Sequence, residues 1–266
     1  MGEVIIRIIT ILGCSAFVLS LALYNLLTYC LFFLTIHAMC SYEYFKVTKL
    51  GVISYINHMV IYALMVINVF ELGNIWIYAI PLMYLQFLMV FQTSNLVCNC
   101  ETENIDNFRR LTTFVFGFFF ISVPCLMGVD IMVQTGEPLI MIGTMMLIWF
   151  SDGGAYAFGR IFGKTPLMPK ISPKKTVEGF FGGALLSACV LPIVIGFDVL
   201  ELYQWIVIYF ISVIGGAAGD LIESVLKRST KTKDTGSILP GHGGVLDRCD
   251  ALLYVLPFVW WFLNTN

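Results

Sequence analysis

Long apolar segments separated by short polar connections dominate this chain and restrict what it can fold into. Of its 266 residues, 59% are hydrophobic and only 12% are charged, whereas a soluble domain of this size carries roughly 25% charged residues. A helix needs about 20 apolar residues to cross the hydrocarbon core of a bilayer. Segments of that kind lie near residues 5–23, 26–45, 51–70, 74–92, 111–129, 138–159, 179–197, 203–226 and 247–264. The sequence therefore predicts an all-α, polytopic integral membrane protein with about nine transmembrane helices.

The distribution of charged residues predicts how the chain is oriented in the membrane. Lysines and arginines occur only in the connections on the side of the N-terminus. The connections on the other side carry only acids, at Glu71, Asp130, Glu137, Asp198 and Glu201. By the positive-inside rule, the N-terminus is then cytoplasmic and the C-terminus lies outside. Four tryptophans would lie near the outer interface as an aromatic belt, namely Trp76, Trp205, Trp260 and Trp261.

The predicted helices form two regions. Residues 1–110 contain about four N-terminal transmembrane helices, and we interpret the first as an uncleaved span because no small-residue cleavage site follows it. Residues 111–266 form a C-terminal transmembrane region with cytoplasmic polar loops at 160–178 and 227–246. This second region holds the residues that could carry chemistry.

Some polar residues of the apolar segments are better explained by structure than by chemistry. The eight cysteines have no metal-site spacing, and we interpret them as reduced and structural. His37 and His58 are isolated in the sequence, and each is interpreted as a hydrogen-bonded helix residue rather than a ligand.

The densest group of charges extends from Ser224 to Asp250, between the last two apolar segments. It contains Lys227, Arg228, Lys231, Lys233, Asp234, His242, Asp247, Arg248 and Asp250, with glycines at 241, 243 and 244. Asp247 and Asp250 are three residues apart and would share a helix face, as would Asp220 and Glu223 in the preceding segment. The short loop between the two segments can bring these pairs together.

Charged groups beside hydrocarbon-length segments are costly and usually functional. Clustered carboxylates at such a place hold a hard cation such as Mg²⁺ or carry protons. The simpler interpretation is that each acid pairs with a neighbour, for example Asp247 with Lys227. Lysines, arginines and glycine-rich turns with free N–H groups are also what phosphate recognition needs. A basic loop on an anionic leaflet is the alternative, although such a loop needs neither the glycines nor the acids.

A second polar stretch runs from Ser151 to Gly179. Asp152 and Arg160 flank Tyr156 within an apolar segment. A short cationic turn follows on the predicted cytoplasmic side, with Ser172, Lys174, Lys175, Thr176 and then Glu178.

Both stretches resemble the phosphatidate cytidylyltransferase family, also called CDP-diacylglycerol synthases. The later one reads S-x-x-K-R-x4-K-D-x-G-x2-L-P-G-H-G-G-x2-D-R-x-D and is similar to that family's signature. It departs at Cys249, where an apolar residue such as Ile or Leu is expected. The earlier one reads D-x-x-A-Y-x-x-G-R-x-F-G-K, followed by S-P-x-K-T-x-E-G. The two blocks cover roughly residues 110–266, whereas the first hundred residues match only in being apolar.

The resemblance implies an enzyme that transfers the cytidylyl group of CTP to phosphatidate, giving CDP-diacylglycerol and pyrophosphate in phospholipid biosynthesis. It implies catalytic roles for Asp220, Lys227, Arg228, His242, Asp247 and Asp250. Mg²⁺ would be held by Asp220, Asp247 and Asp250, and a second cation stays open. The implied substrate contacts are Asp152, Tyr156, Arg160, Ser172, Lys174, Lys175, Thr176, Glu178, Ser224, Lys233, Asp234, Gly241, Gly243, Gly244 and Arg248.

The resemblance also implies a place in the cell. The protein would lie in the inner (cytoplasmic) membrane with its active site facing the cytoplasm. Its partners would be CTP, phosphatidate, the lipid bilayer and a second copy in a homodimer, with no nucleic acid.

Two alternatives remain at this point. A CTP-dependent lipid kinase would use the γ-phosphate of CTP instead of the α-phosphate. A cation-coupled transporter would also contain intramembrane acids and glycine-broken helices. Against a transporter, the sequence has no inverted repeat, and its polar residues gather at one face instead of the midplane.

Overall fold

The computed structural model describes residues 25–72, 110–236, 238 and 243–265. Eight helices and one hairpin form this part of the chain. The helices are α1 (Leu26–Thr48), α2 (Val52–Leu72), α3 (Arg110–Thr135), α4 (Pro138–Phe162), α5 (Val177–Ala188), α6 (Leu191–Ile195), α7 (Leu202–Ser229) and α8 (Leu246–Thr265). The antiparallel strands are β1 (Pro166–Met168) and β2 (Ser172–Thr176).

Within the described residues, five helical segments are long and apolar enough to cross a membrane. They are Leu26–Thr48, Arg110–Thr135, Pro138–Phe162, Val177–Ile195 and Leu202–Ser229. The predicted span at 51–70 corresponds to α2, whose apolar part Val52–Ile67 is shorter, and the span at 247–264 corresponds to α8. The predicted spans at 5–23 and 74–92 lie outside the described residues. The prediction of a mostly helical, multi-pass membrane protein is thus confirmed.

The connection between α4 and α5 adds a short hairpin to this helical fold. There the chain forms the β1–β2 hairpin, in which Pro166 lies opposite Thr176 and Met168 opposite Ser172. Prolines at 166, 169 and 173 disfavour helical conformation at and just before their own positions. The predicted loop at 160–178 is accordingly shorter, because α4 continues to Phe162 and α5 begins at Val177.

Helix ends follow local capping rules. The side chain of Asn25 accepts a hydrogen bond from the Thr28 N–H, and the Thr28 hydroxyl accepts one from the Asn25 N–H. This capping box fixes the start of α1. Gly136 ends α3 with a φ of 70°, a conformation that favours glycine. Pro138 then occupies the first turn of α4, where no intrahelical N–H is needed.

The connection between α3 and α4 begins later than the sequence predicted. The prediction placed Asp130 in this connection, but α3 continues to Thr135. Asp130 is buried and accepts hydrogen bonds from Gln134 Nε2 at 2.6 Å and from Trp260 Nε1 at 2.5 Å. Trp205 is fully buried, with its ring against Gly143. Of the three described tryptophans of the predicted aromatic belt, only Trp261 is exposed, at 63%. The fourth, Trp76, lies outside the described residues.

A buried polar cluster joins α1, α2 and α3. Ser122 Oγ lies 2.9 Å from His37 Nε2 and 3.2 Å from His58 Nδ1, and Ser41 Oγ lies 3.2 Å from the same nitrogen. Ser122 ends a π-helical turn at Phe118–Ser122, and the His37 ring stacks on Tyr62. Both histidines are thus hydrogen-bonded helix residues, as predicted, although they are not isolated from each other.

Small residues allow α4 and α5 to pack closely. A Cβ atom added to Gly154 would lie 2.9 Å from the Gly182 carbonyl oxygen and from the Gly183 Cα. Helix pairs in membranes commonly use such small-residue contacts, because they gain little from hydrophobic burial. This packing sets the position of the β1–β2 hairpin at the end of the helix pair.

We predict that Gly154→Ala destabilises the protein and that Gly153→Ala does not. An alanine at 154 would press on the α5 backbone, which costs about 1–3 kcal/mol. A Cβ at Gly153 meets nothing within 4 Å, and alanine is the better helix former. Thermal unfolding of the detergent-purified variants measures the difference. Equal midpoints for the two variants would contradict the packing described here.

Candidate active site

Three carboxylates converge where α7 crosses α8. Oxygen atoms of Asp220, Glu223 and Asp250 all lie within 4.8 Å of one another. Gly219 makes this possible, because a Cβ there would lie 2.7 Å from the Asp250 carbonyl oxygen and 2.8 Å from Tyr254 Cβ. The absence of a side chain at this one position lets the two helix backbones approach and brings their acids together.

Two lysines contact the cluster from different elements. Lys175 Nζ, on β2, lies 2.5 Å from Asp220 Oδ2. Lys227 Nζ, one turn after Glu223 on α7, lies 2.6 Å from Glu223 Oε2 and 2.9 Å from Asp247 Oδ1. Three carboxylates therefore share two ammonium groups in ion-pair contact, and Asp250 adds a fourth carboxylate with no ion pair among the described residues. The site thus has an excess of negative charge.

Asp247 lies beside the cluster instead of within it. Its Oδ1 accepts from Lys227, and its Oδ2 accepts from the backbone N–H groups of Thr235 at 3.0 Å and Gly244 at 2.9 Å. Its Oδ2 thus holds the loop before α8, while its Oδ1 is paired with Lys227 on α7. The family resemblance implied Asp220, Asp247 and Asp250 as metal ligands. Of these, Asp220 and Asp250 lie in the cluster with Glu223, and Asp247 lies next to it.

The cluster fits a hard cation. Glu223 is 1% exposed, and its Oε1 has no hydrogen-bond partner among the described residues. A buried carboxylate oxygen without a partner is costly unless something else satisfies it. Carboxylate oxygens are the ligands that Mg²⁺ and Ca²⁺ prefer, and the surrounding charge is negative. Asp220, Glu223 and Asp250 are therefore the residues that could hold such an ion.

The β1–β2 hairpin carries Lys175 to this place and is fixed at its base. The Glu178 carboxylate accepts from the backbone N–H groups of Lys164 and Thr165 at 3.1 Å each. Thr176 Oγ1 caps α5 by accepting from the Gly179 N–H. Two predicted substrate-binding residues, Thr176 and Glu178, thus hold the hairpin in position.

The tip of the hairpin reaches α7. Arg228 Nε donates to the Ile171 carbonyl oxygen at 3.5 Å, and the rest of its side chain is exposed. Lys174 is exposed, whereas its neighbour Lys175 is bound to Asp220. The structure therefore separates two lysines that the sequence treated alike.

The other predicted residues differ in how close they come to the cluster. Asp152, near the end of α4, interacts electrostatically with Asp220, Lys175 and Arg248. Ser224 Oγ donates to Asp220 Oδ1 at 3.4 Å. Four predicted residues are exposed and make no described contact to the three carboxylates, namely Tyr156, Arg160, Lys233 and Asp234. Ser172 is half-buried in β2. His242 and Gly241 lie outside the described residues.

The loop before α8 depends on glycine at two described positions. Gly243 has a φ of 86°, which L side chains rarely adopt. A Cβ on Gly244 would collide with the Thr235 hydroxyl and with the carboxylate of Glu43. Glycine at both positions therefore gives the loop backbone a conformation and a path that a side chain would prevent.

Glu43 is a residue that the sequence analysis missed. It lies on α1, is 1% exposed, and accepts from the Leu246 N–H at 2.9 Å and from Thr235 Oγ1 at 3.3 Å. An acid within an apolar segment is a signal that could have found it. Its partners, about two hundred residues away in the chain, could not be inferred from spacing.

The fold and the site together define a class of protein. Long apolar helices position a cluster of carboxylates, lysines and a glycine-rich loop, a combination suited to phosphate groups and a divalent cation. The chain belongs to the cytidylyltransferase family, whose model matches residues 5–266. The family resemblance seen in the two polar stretches is thereby confirmed.

Curated relatives support the same assignment over part of the chain. The chain is similar to the phosphatidate cytidylyltransferase of Bacillus subtilis (strain 168), with 48% identity over 121 residues, or 44% of this chain and 45% of the relative. The enzymes of that name from Staphylococcus haemolyticus and a Staphylococcus epidermidis strain are 48% and 47% identical over 117 and 116 residues. These matches cover 43% of this chain and 45% of each relative. The chain thus spans somewhat less than half the length of the curated relatives it matches.

We predict that Asp250→Asn weakens divalent-cation binding strongly, whereas Asp198→Asn leaves it unchanged. Changing an outer-shell partner already lowers metal affinity about 10–100-fold, so loss of a direct carboxylate ligand should cost at least roughly 100-fold. Asp198 is exposed between α6 and α7, and asparagine tolerates its left-handed backbone. Mn²⁺ titration of the purified protein, followed by the electron paramagnetic resonance of the free ion, measures both. Equal affinities for the two variants would show that the carboxylate cluster does not bind the cation.

Proposed function

We propose that this protein transfers the cytidylyl group of CTP to phosphatidate, giving CDP-diacylglycerol and pyrophosphate. The observation that carries the proposal is the convergence of Asp220, Glu223 and Asp250 beside Lys175 and Lys227. Family membership and the names of the partly aligned relatives support the same reaction.

The chemistry asks the protein mainly to neutralise charge and to align two anions. A phosphate oxygen of phosphatidate attacks the α-phosphorus of CTP, and pyrophosphate leaves. The nucleophile is already an oxyanion, so no strong general base is needed. Positively charged groups fixed near the reacting phosphates stabilise the charge that the transition state spreads over their oxygens.

The residues of the site divide this work. A divalent cation held by Asp220, Glu223 and Asp250 would supply positive charge to the phosphate oxygens. Lys175 and Lys227 lie at the edge of the same cluster and would meet the phosphates there. The exposed side chains of Arg228 and Lys174 would attract and orient the anionic substrates. Asp247 would keep Lys227 and the glycine loop in place.

The proposed orientation follows from the one-sided charges of the sequence. The β1–β2 hairpin and the loop before α8 would face the cytoplasm, where CTP is found, in a chain with nine spans and an outer C-terminus. The protein would lie in the inner membrane, where its lipid substrate is found, and a homodimer stays a prediction.

The reaction itself is tested by product analysis. Purified protein is incubated with phosphatidate, Mg²⁺ and CTP labelled in the α-phosphate. We expect the label in the lipid product, with one pyrophosphate released per lipid. Asp250→Asn serves as the inactive control, because it removes one cluster carboxylate while keeping the shape of the side chain. Release of CDP with a γ-phosphate on the lipid would instead identify a lipid kinase, and no CTP turnover would contradict both.

Topology is tested by cysteine labelling in a cysteine-free background. We expect Asp198→Cys, between α6 and α7, to react with an impermeant maleimide applied from outside. Ser172→Cys, on β2, should react only after the membrane is opened. Outside labelling at 172 would contradict a site that takes CTP from the cytoplasm.

A further inference from the structure

Glu43 connects the N-terminal helices to the loop before α8. Its Oε2 accepts from the Leu246 N–H and from the Thr235 hydroxyl, across 203 and 192 residues of sequence. The Leu246 N–H belongs to the first turn of α8, where a carboxylate is stabilised by the helix dipole. With 1% exposure, the Glu43 carboxylate forms these bonds away from bulk solvent, where each is stronger.

The loop packs directly on this carboxylate. A Cβ added at Gly236 or at Gly244 would collide with the Glu43 carboxylate oxygens. Glycine at both positions therefore lets the loop backbone close around one side chain. Such close approach is a recurrent use of glycine, because any other residue would push the backbone away.

A second carboxylate holds the same loop from the other side. Asp247 Oδ2 accepts from the backbone N–H groups of Thr235 and Gly244. Thr235 thus bonds to Asp247 through its backbone and to Glu43 through its hydroxyl. Asp247 in turn contacts Lys227, the lysine that also binds Glu223. The contacts lead without interruption from α1 to the carboxylate cluster.

From this chain of contacts we infer that Glu43 is a positioning residue for the glycine loop of the active site. It holds Thr235 and Leu246, at the two ends of the loop, so that these ends are in place before the nucleotide arrives. Helix α1 then contributes to the construction of the site and not only to membrane insertion. The inference rests on the proposed function for its kinetic consequences, whereas the ordering of the loop can be measured without it.

The kinetic test compares Glu43→Gln with Glu137→Gln in the full-length protein. Glutamine keeps the shape of the side chain and removes the charge that strengthens both hydrogen bonds. A hydrogen bond to a charged group contributes about 1.5–3 kcal/mol, so kcat/KM for CTP should fall on the order of tenfold or more. Most of this loss should lie in KM, because the nucleotide must then order the loop as it binds. Glu137 makes no capping hydrogen bond at the exposed start of α4, so its variant should behave as wild type.

The second measurement follows the loop directly by hydrogen–deuterium exchange of the detergent-purified protein. Amides of 235–246 should exchange faster in Glu43→Gln, while those of the β1–β2 hairpin should not change. A merely structural role would lower the yield or the unfolding temperature of the protein and leave KM and local exchange in the folded fraction unaltered. The exchange result also separates this inference from the proposed function. Faster exchange of the loop in Glu43→Gln is expected even if the wild type does not use CTP.

A double-mutant cycle that combines Glu43→Gln with Thr235→Val tests the contact between these two side chains directly. Residues in contact give non-additive effects. The loss caused by Glu43→Gln should therefore be smaller in the Thr235→Val background than in the wild type. Wild-type KM together with wild-type exchange in Glu43→Gln would overturn the inference, as would strictly additive effects in the cycle.

Discussion

The approach of α7 and α8 at Gly219 is the constraint on which the site depends. Only a residue without a side chain lets Asp220 and Glu223 on one helix meet Asp250 on the other within 4.8 Å. Three carboxylates at that distance repel one another, and burial makes the repulsion stronger. The rest of the site can be understood as compensation for this cost, by lysines from two directions and by backbone N–H groups for the neighbouring Asp247.

Compensation also explains why separate parts of the chain meet here. The ion pair of Lys175 with Asp220 joins the β1–β2 hairpin to the cluster, and Glu178 and Thr176 hold the base of this hairpin. Asp247 binds both Lys227 and the glycine loop, and Glu43 joins that loop to α1. Each of these elements is polar and lies next to long apolar helices, where an unpaired charge would be expensive. The pairing of charges thus determines the geometry of the site as much as the packing of the helices does.

The sequence predicted the helices better than the contacts between them. Apolar length gave the starts of the described spans to within a few residues, as at Leu26 for α1, whereas α3 continues beyond its predicted end to Thr135. Helix periodicity placed Asp247 and Asp250 on one face, but it could not show that Oδ2 of Asp247 would accept from the loop backbone and Oδ1 from Lys227. Glu223 was recognised as a neighbour of Asp220, yet its position in the cluster depends on the crossing at Gly219. The burial of Trp205 likewise follows from its contact with Gly143 on another helix, which no local pattern contains.

The lysines of the site already have partners, and this affects how substrates can bind. Lys227 is shared by Glu223 and Asp247, and Lys175 is bound to Asp220. A phosphate group can use these lysines fully only if their carboxylates are satisfied in another way. If a divalent cation binds the cluster as proposed, it would compete with the lysines for the same carboxylates and so free the ammonium groups for phosphate. Cation and anionic substrate would then favour each other's binding, and by linkage the coupling must be equal in both directions. Oε1 of Glu223 is the atom at which this coupling would begin, because it has no hydrogen-bond partner among the described residues.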